Sequence, residues 1–515
     1  MLGQVRSCAL VGVDAVAVEV EVMAIPGEKP SFQIVGLGDS AVREAKGRVV
    51  SALKRSGCHA PEVIFVNLAP AEIKKEGSAF DLPMALGVAI SGRRIKPQRS
   101  RETFYFGELS LDGSVRAVRG VVALAISALE HGADTVVVPL VNVAEASLVR
   151  GLRVFGVRTL TEALQIAEGF TENLEAAHIK VPNLSELPVN TESLAQVRGQ
   201  VVAKRAMMLA AAGGHNLIFI GPPGCGKSML AQRFANLLPR LNEQEQFEAV
   251  KIHSIAGLSV SALLAGRRPF RNPHHIVSDV GLIGGGSSPR PGEISLAHRG
   301  VLFLDEFPEY RRSALEALRT PLETGEVRIS RAKASTLLPA RFQLLAAMNP
   351  CPCGRLGSKQ RCICSESMLQ SYLRKLSQPI LERIDIQVEL EEVSFAEMTE
   401  PRSSSNVSDE QLQSQVQEMM ELQHTRQGVL NSRLEGERLL SSEQLAAAAM
   451  KLLEETAKRN LVSARSFVRI LRIARTIADV EGSAQILDRH VAEAIGFRLL
   501  DRRTQKTIMG MSKAQ

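Results

Sequence analysis

The chain is short of several things, and each shortage narrows what it does. No run of apolar residues approaches the twenty or so needed to span a bilayer, so no transmembrane helix is expected. The first residues, MLGQVRSCALVGVDAV, lack the basic-then-apolar order of a signal peptide, and the expected location is the cytoplasm. Tryptophan is absent and only three tyrosines occur. Cysteine is scarce and odd in number, seven in all, with four bunched at 351, 353, 362 and 364. That pattern fits a reduced compartment and a metal site better than a disulfide framework. What remains is a chain of 515 residues that is 45% hydrophobic, enough for two to four domains with a sizeable core, and a net charge of +7. A mildly basic balance is by itself weak support for a polyanion partner.

The stretch Asn216 to Ser228, NLIFIGPPGCGKS, organises the rest. Leu217, Ile218, Phe219 and Ile220 read as a buried parallel strand. Gly221, Pro222, Pro223, Gly224, Cys225, Gly226, Lys227 and Ser228 then follow at G-x-x-x-x-G-K-S spacing. A glycine-rich turn lets backbone N–H groups curl around phosphate oxygens, and the next helix points its positive end at them. Lys227 would reach the β- and γ-phosphates of ATP, and Ser228 would place its hydroxyl on Mg²⁺. Cys225 is a small filler whose backbone matters. A second apolar run, VLFLDE over Val301 to Glu306, ends in two acids. Asp305 would hold Mg²⁺, directly or through water, and Glu306 would polarise the attacking water.

Around this pair of motifs the pattern alternates. Val16, Val18, Val20 and Val22 share one face of a half-buried strand, and apolar runs recur at 63–68, 104–109 and 135–139 with helix-like segments at 40–57, 80–91 and 119–132. An N-terminal α+β domain over 1–172 is predicted, then a polar linker over 173–193 and an ATPase core over 194–398. His274 and His275 lack an acid or Cys partner at metal-ligand spacing. GEVRISRAKAST reads as a hairpin whose tip carries Arg328, Arg331 and Lys333, either a solvated charged turn or a phosphate-contacting one. The strand Phe342 to Met348 ends in Asn349, where a polar group can position water against a γ-phosphate. CPCGRLGSKQRCIC then brings Cys351, Cys353, Cys362 and Cys364 to spacing that closes a structural Zn²⁺ site, with unliganded thiols or a redox pair as alternatives. A flexible connection is expected over 399–430, rich in Ser, Gln and Asn near its start, and helices over 431–515. In the last of these, Phe467, Ile470, Leu471 and Ala474 form one stripe and Arg465, Arg469 and Arg472 another, a solvated face or a DNA contact.

These residues carry two resemblances. Lys74 to Leu86 and Phe106 to Pro139 resemble the proteolytic domain of Lon-type proteases. The places of the Ser–Lys dyad fall on Ala79 and Val122, with Ser78 one position off, so the likeness implies the Lon-like, ribosomal S5 domain 2-like fold without the peptidase. The order of a Lon-like domain, the nucleotide motifs, the four-Cys insert and a helical lid resembles the bacterial magnesium-chelatase-like AAA+ ATPases. That resemblance implies a P-loop AAA+ core of α/β class with a helix-2 insert at 267–300 and a pre-sensor hairpin at Arg328–Lys333, both facing a ring's pore. It also implies Asn349 as sensor 1, Arg383 as the arginine finger and Arg465 as the lid's sensor 2. The activity implied is that of a homo-hexameric DNA helicase driving branch migration of single-stranded, forked or branched DNA in natural transformation and recombination. A magnesium-chelatase motor subunit is a second reading, although no D-x-S-x-S metal-adhesion motif is present. A protein remodeller is a third, disfavoured by the absence of aromatics at the hairpin tip.

Overall fold

In the computed structural model, the residues described are 2–59, 61–75, 77–98, 102–170, 193–286, 290–331, 334–358, 360–392, 408–440, 444–458 and 464–498. The expected linker lies outside them up to residue 192, as do residues 393–407, Lys333 and the C-terminal 17 residues.

The first half is built on a seven-stranded mixed sheet. Its strands are β1 (Leu2–Val11), β2 (Asp14–Ile25), β3 (Ser31–Val35), β4 (Val63–Ala69) and β5 (Thr103–Tyr105). After a small hairpin, β6 (Glu108–Leu109) and β7 (Val115–Arg116), come β8 (Thr135–Pro139) and β9 (Arg153–Val157). The order across the sheet is β3-β4-β2-β1-β5-β8-β9. The alternation in β2 turns Val18, Val20 and Val22 into the core while Glu19 faces out. The helix Ser40–Arg55 starts where Asp39 accepts the Val42 N–H, and the fully buried helix Asp81–Ser91 packs beside it. Asp81 is itself buried and held by a bidentate Arg48 at 2.6 and 3.1 Å. That charged pair keeps the start of the buried helix from leaving an uncompensated carboxylate.

The second half carries a five-stranded, all-parallel sheet: β10 (Leu217–Ile220), β11 (Phe270–Arg271), β14 (Val301–Leu304), β17 (Gln343–Met348) and β18 (Ile386–Glu389), ordered β11-β14-β17-β10-β18. Two hairpins extend from it, β12 (Gly284–Gly285) with β13 (Arg290–Pro291), and β15 (Glu326–Arg331) with β16 (Ala334–Pro339). Every residue of β10 and β14 is buried, as a parallel sheet covered on both faces requires. One face packs on the helices Val201–Gly213 and Lys227–Leu237 and on C-terminal helices that supply Val416, Leu434, Ile470, Leu471 and Ala474 to the same apolar core. The other face is closed by Phe307, Tyr310, Leu315 and Ile380. This mixed α/β plan with a parallel sheet and C-terminal helices is that of an AAA+ core.

The two halves share a small core. Val122 and Ala125 of the helix Val121–Glu130 meet Ala249 and Val250 of the helix Glu243–Ala256. Polar contacts secure that seam: the Gly120 N–H donates to Ser254 O at 2.9 Å, Ser254 Oγ donates to Glu145 at 2.6 Å and Lys251 pairs with Asp14 at 2.8 Å.

Residues 409–427, expected as part of a flexible connection, form a 19-residue helix, Asp409–Gln427. Ser408 and Gln411 make a capping box at its start, and Gly428 ends it in the left-handed region. Asp409 then receives the Leu194 N–H at 3.0 Å, tying the first described residues of the core to this helix. Among the described residues no helix is long and apolar enough to cross a membrane.

Candidate nucleotide site and four-cysteine loop

β10 lies between β17 and β18, so the strand order reverses at its carboxyl end, where α/β sheets open a crevice. The glycine-rich turn fills that place. Gly224 and Gly226 take φ of +81° and +91°, values that favour glycine, and the helix Lys227–Leu237 begins immediately after. A methyl group on Gly221 would stand 2.8 Å from both Cys225 Sγ and Leu390 O, so the turn is tight by construction. Cys225 is buried, and burial raises its thiol pKa, so it fills space as expected.

Lys227 bends back over the loop. Its Nζ donates to Gly221 O and Pro222 O at 2.8 Å each and to Asn349 Oδ1 at 3.1 Å. Burial lowers its pKa, with nearby Cys225 and Asp305 opposing. An ammonium half out of water whose hydrogen-bond partners are neutral oxygens and a thiol suits an anion. Ser228 Oγ donates to Asp305 Oδ2 at 2.5 Å, so the two oxygens expected to share Mg²⁺ already stand together. Glu306 follows with φ of 51°, strained for a residue with a side chain. Its carboxylate is half exposed and meets His275 Nδ1 at 2.9 Å. Thus Gly221, Lys227, Ser228, Asp305, Glu306 and Asn349 converge on one crevice, and its donors suit a triphosphate with a hard cation.

The four-cysteine loop leaves the end of β17 two residues after Asn349. The Sγ atoms of Cys351, Cys353, Cys362 and Cys364 lie within 4.8 Å of one another, and three of the separations are 3.4, 3.6 and 3.8 Å. Four thiolates around Zn²⁺ at about 2.3 Å stand about 3.8 Å apart, so the set fits that ion. Backbone N–H groups of Ile363 and Arg355 hold the Cys353 thiol down at about 6. Gly354 and Gly357 turn the chain with φ of +75° and +81°, and Gly354 presses on Pro223 of the phosphate loop.

At the opposite, amino ends of the strands a cleft of about 430 Å³ is lined by Asn216, Glu323, Arg383, Arg433, Arg469 and Arg472. Arg383 donates to Pro379 O at 2.6 Å and pairs with Glu323, leaving its buried Nε without a partner. Arg469 reaches Asp385 at 3.6 Å and keeps a buried Nη1 unpartnered. Burial lowers the pKa of Arg433, Arg469 and Arg472, and for Arg433 the neighbouring Arg341 and Arg299 add to that effect. Four guanidinium groups face one cleft with two carboxylates, Glu323 and Asp385, among them, an arrangement that suits an anion.

Comparison with known proteins accounts for both halves. Three family profiles match in succession: Subunit ChlI of Mg-chelatase over 18–142, Magnesium chelatase, subunit ChlI over 193–398, and Magnesium chelatase, subunit ChlI C-terminal over 406–498. Competence protein ComM of Haemophilus influenzae is 40% identical over 509 residues, covering 98% of this chain and 99% of ComM. The chain belongs to the magnesium-chelatase-like AAA+ family. YifB of Escherichia coli is 38% identical over 505 residues, covering 97% of this chain and 98% of YifB. DNA replication licensing factor Mcm6 of Drosophila melanogaster is 26% identical over 305 residues, 56% of this chain and 33% of that protein.

In this magnesium-chelatase-like chain some expected site residues sit elsewhere than the sequence suggested. Arg328 is not at the hairpin tip: it pairs with Leu337 in mid-strand, exposed, while Arg331 pairs with Ala334 next to the turn. Alternating hairpin register, invisible to composition, decides this. Lys333 and the side chains of Arg331 and Arg465 lie outside the described residues. Arg465 heads the helix Ala464–Val480, one turn before Arg469. Arg469 and Arg472 form neither a solvated face nor an exposed stripe but line the arginine cleft. Arg433 was not singled out by the sequence; nothing in its surroundings, LNSRLEGE, marks it. Ser78 donates to Glu108, and Lys75 to Pro70 O, so no Ser–Lys dyad forms.

Proposed function

We propose that this protein is an ATP- and Mg²⁺-dependent ring motor, a homo-hexamer that moves DNA strands and promotes branch migration during natural transformation and homologous recombination. One observation carries the reading. Arg383 precedes β18 and the phosphate loop follows β10, and these strands are parallel neighbours in register. The two sites are therefore separated by at least four residues of strand, about 13 Å. Arg383 is too far away to serve its own loop, and the guanidinium groups gathered in its cleft suit an anion. A neighbouring subunit's γ-phosphate supplies that anion.

In this reading Lys227 and the loop N–H groups bind the phosphates, and Ser228 with Asp305 holds Mg²⁺, which neutralises charge developing on the transferred group. Glu306 takes the proton of the attacking water, Asn349 orients it, and Arg383 with Arg465 completes the neighbour's site. Cys351, Cys353, Cys362 and Cys364 hold a structural Zn²⁺ with no open position for water. Residues 1–172 serve as a Lon-like scaffold without peptidase chemistry. DNA is supported by the names competence protein and DNA replication licensing factor borne by relatives. The basic sequence from Arg328 to Lys333 also supports it, since its cations suit phosphates and not base reading. The family's name favours a second reading, a chelatase motor subunit acting on a protein partner. Steady-state ATPase measured with and without forked DNA at several salt concentrations separates them. Stimulation that fades with salt supports the DNA motor, and an ATPase indifferent to DNA refutes it.

A further inference from the structure

One amide at the amino end of the sheet holds the backbone of Arg383. Asn216 stands immediately before β10, in the wall of the arginine cleft. Its backbone N–H donates to Asp385 Oδ2 at 3.1 Å. Its carbonyl accepts the N–H groups of Asp385 at 3.1 Å and Ile386 at 3.0 Å. In the side chain, Oδ1 accepts the Leu344 N–H at 2.8 Å and Nδ2 donates to Arg383 O at 2.8 Å. Asn216 thus ties together three strands, β17 through Leu344, β18 through Asp385 and Ile386, and β10 by its own place in the chain.

Arg383 has no regular element of its own to fix it. It lies between the short helix Gln378–Leu381 and β18, past a helix end, where carbonyls have no partner within the helix. The Asn216 amide supplies one. The task needs a donor toward Arg383 O and an acceptor toward the Leu344 N–H in one short side chain, and a carboxamide carries both. The guanidinium is then turned by Pro379 O at 2.6 Å and by Glu323, whose side chain is 63% exposed. The firm part of the mounting is therefore the backbone.

We infer that Asn216 is a positioning residue for the arginine that this subunit offers to its neighbour. It locks the Arg383 backbone to β10 and β17, the strands whose far ends carry the phosphate loop and Asn349. The inference rests on the reading of Arg383 as a finger acting in the adjoining subunit. A charge that stabilises a transition state must stand within a fraction of an ångström of its place, and about 1 Å of drift costs about a hundredfold in rate.

Asn216→Asp tests this, because it keeps an acceptor for the Leu344 N–H and removes the donor to Arg383 O. Its kcat for ATP should fall about ten- to a hundredfold, with KM within about twofold of wild type, since the phosphate loop is untouched. Mixed rings then locate the defect. Combined with Lys227→Ala, Asn216→Asp should regain ATPase, because its intact loop meets a firmly held Arg383. Combined with Arg383→Ala it should stay inactive, because neither subunit offers such an arginine. Damage to β10 and its loop alone predicts the reverse pattern. A wild-type kcat, recovery with Arg383→Ala, or recovery with neither partner would overturn the inference. The control mixture of Arg383→Ala with Lys227→Ala separates the two claims. If the control also fails to recover, the finger reading falls; if it recovers and Asn216→Asp with Lys227→Ala does not, the positioning role falls.

Discussion

Replacing Gly354 by alanine should weaken ATP binding while leaving the four-cysteine loop filled. Gly354 sits at φ +75°, and a Cβ there would stand 2.6 Å from Pro223 Cδ and 2.8 Å from Pro223 Cγ. Carbon atoms pack at about 3.5–4.0 Å, so one partner must retreat by about 1 Å. The left-handed backbone costs alanine about 1 kcal/mol and overpacking about 1–3 kcal/mol more. The Cys351 end of the loop is anchored through β17, whereas Gly224, next to Pro223, has open space around it, so Pro223 is the part that yields. If about 1.4 kcal/mol of this appears as displaced loop N–H groups, affinity for a fluorescent ATP analogue falls about tenfold. Gly357→Ala is the control: its φ is +81°, but the nearest atom to its Cβ is Glu389 Oε1 at 3.8 Å. It pays the backbone cost without touching the phosphate loop, and its ATP affinity should match wild type. Equal affinities for the two variants, with equal zinc content, would refute the coupling of the cysteine loop to the nucleotide site.

Other consequences are checked independently. Purified protein should carry about one zinc per chain by elemental analysis, and Cys362→Ser should lower both zinc content and melting temperature; metal-free fresh, reduced protein would exclude the site. Burial pushes His298 down to about 4, against its hydrogen bond to Glu248, while the Arg299, Gln244 and His298 bonds outweigh burial and hold Glu248 at about 2. Both folded pKa values lie below their unfolded ones, so stability is full above pH 6.5, falls toward pH 4 through His298 and continues to fall from 4.5 toward 2 through Glu248. A melting temperature flat between about pH 7 and pH 4 would contradict this. Neutralising Arg331 and Lys333 together should flatten the log–log salt dependence of DNA binding by about 1.8 on duplex or about 1.4 on single strands, and an unchanged slope would remove the hairpin from the DNA path.

Much of the core was legible because its signals are local. Buried parallel strands announce themselves as unbroken apolar runs, so β10 and β14 and the residues at their ends were readable, as was the spacing of the four cysteines. The features that were hidden depend on convergence. Arg383, Arg433 and Arg469 stand far apart in the chain, and only the packing of the C-terminal helices on the sheet brings them to one cleft. The helix Asp409–Gln427 fully buries only Val416 and Gln423, with Leu412 and Met420 partly buried one turn to either side of Val416, and its largely polar sequence reads as a connection. The place of Arg328 follows from hairpin register, which its neighbours' composition does not encode. His275 showed no partner in the sequence because Glu306, which it meets, lies 31 positions along the chain on the adjoining strand end.

The central claim is that one subunit's arginine cleft completes the next subunit's nucleotide site. It is tested most directly by mixing two inactive variants, Arg383→Ala and Lys227→Ala. Each lacks what the other retains, so mixed rings contain interfaces in which an intact phosphate loop faces an intact Arg383. ATPase activity should reappear in the equimolar mixture and stay absent in either variant alone. Mixed rings visible by native mass spectrometry without any recovered ATPase would contradict the account.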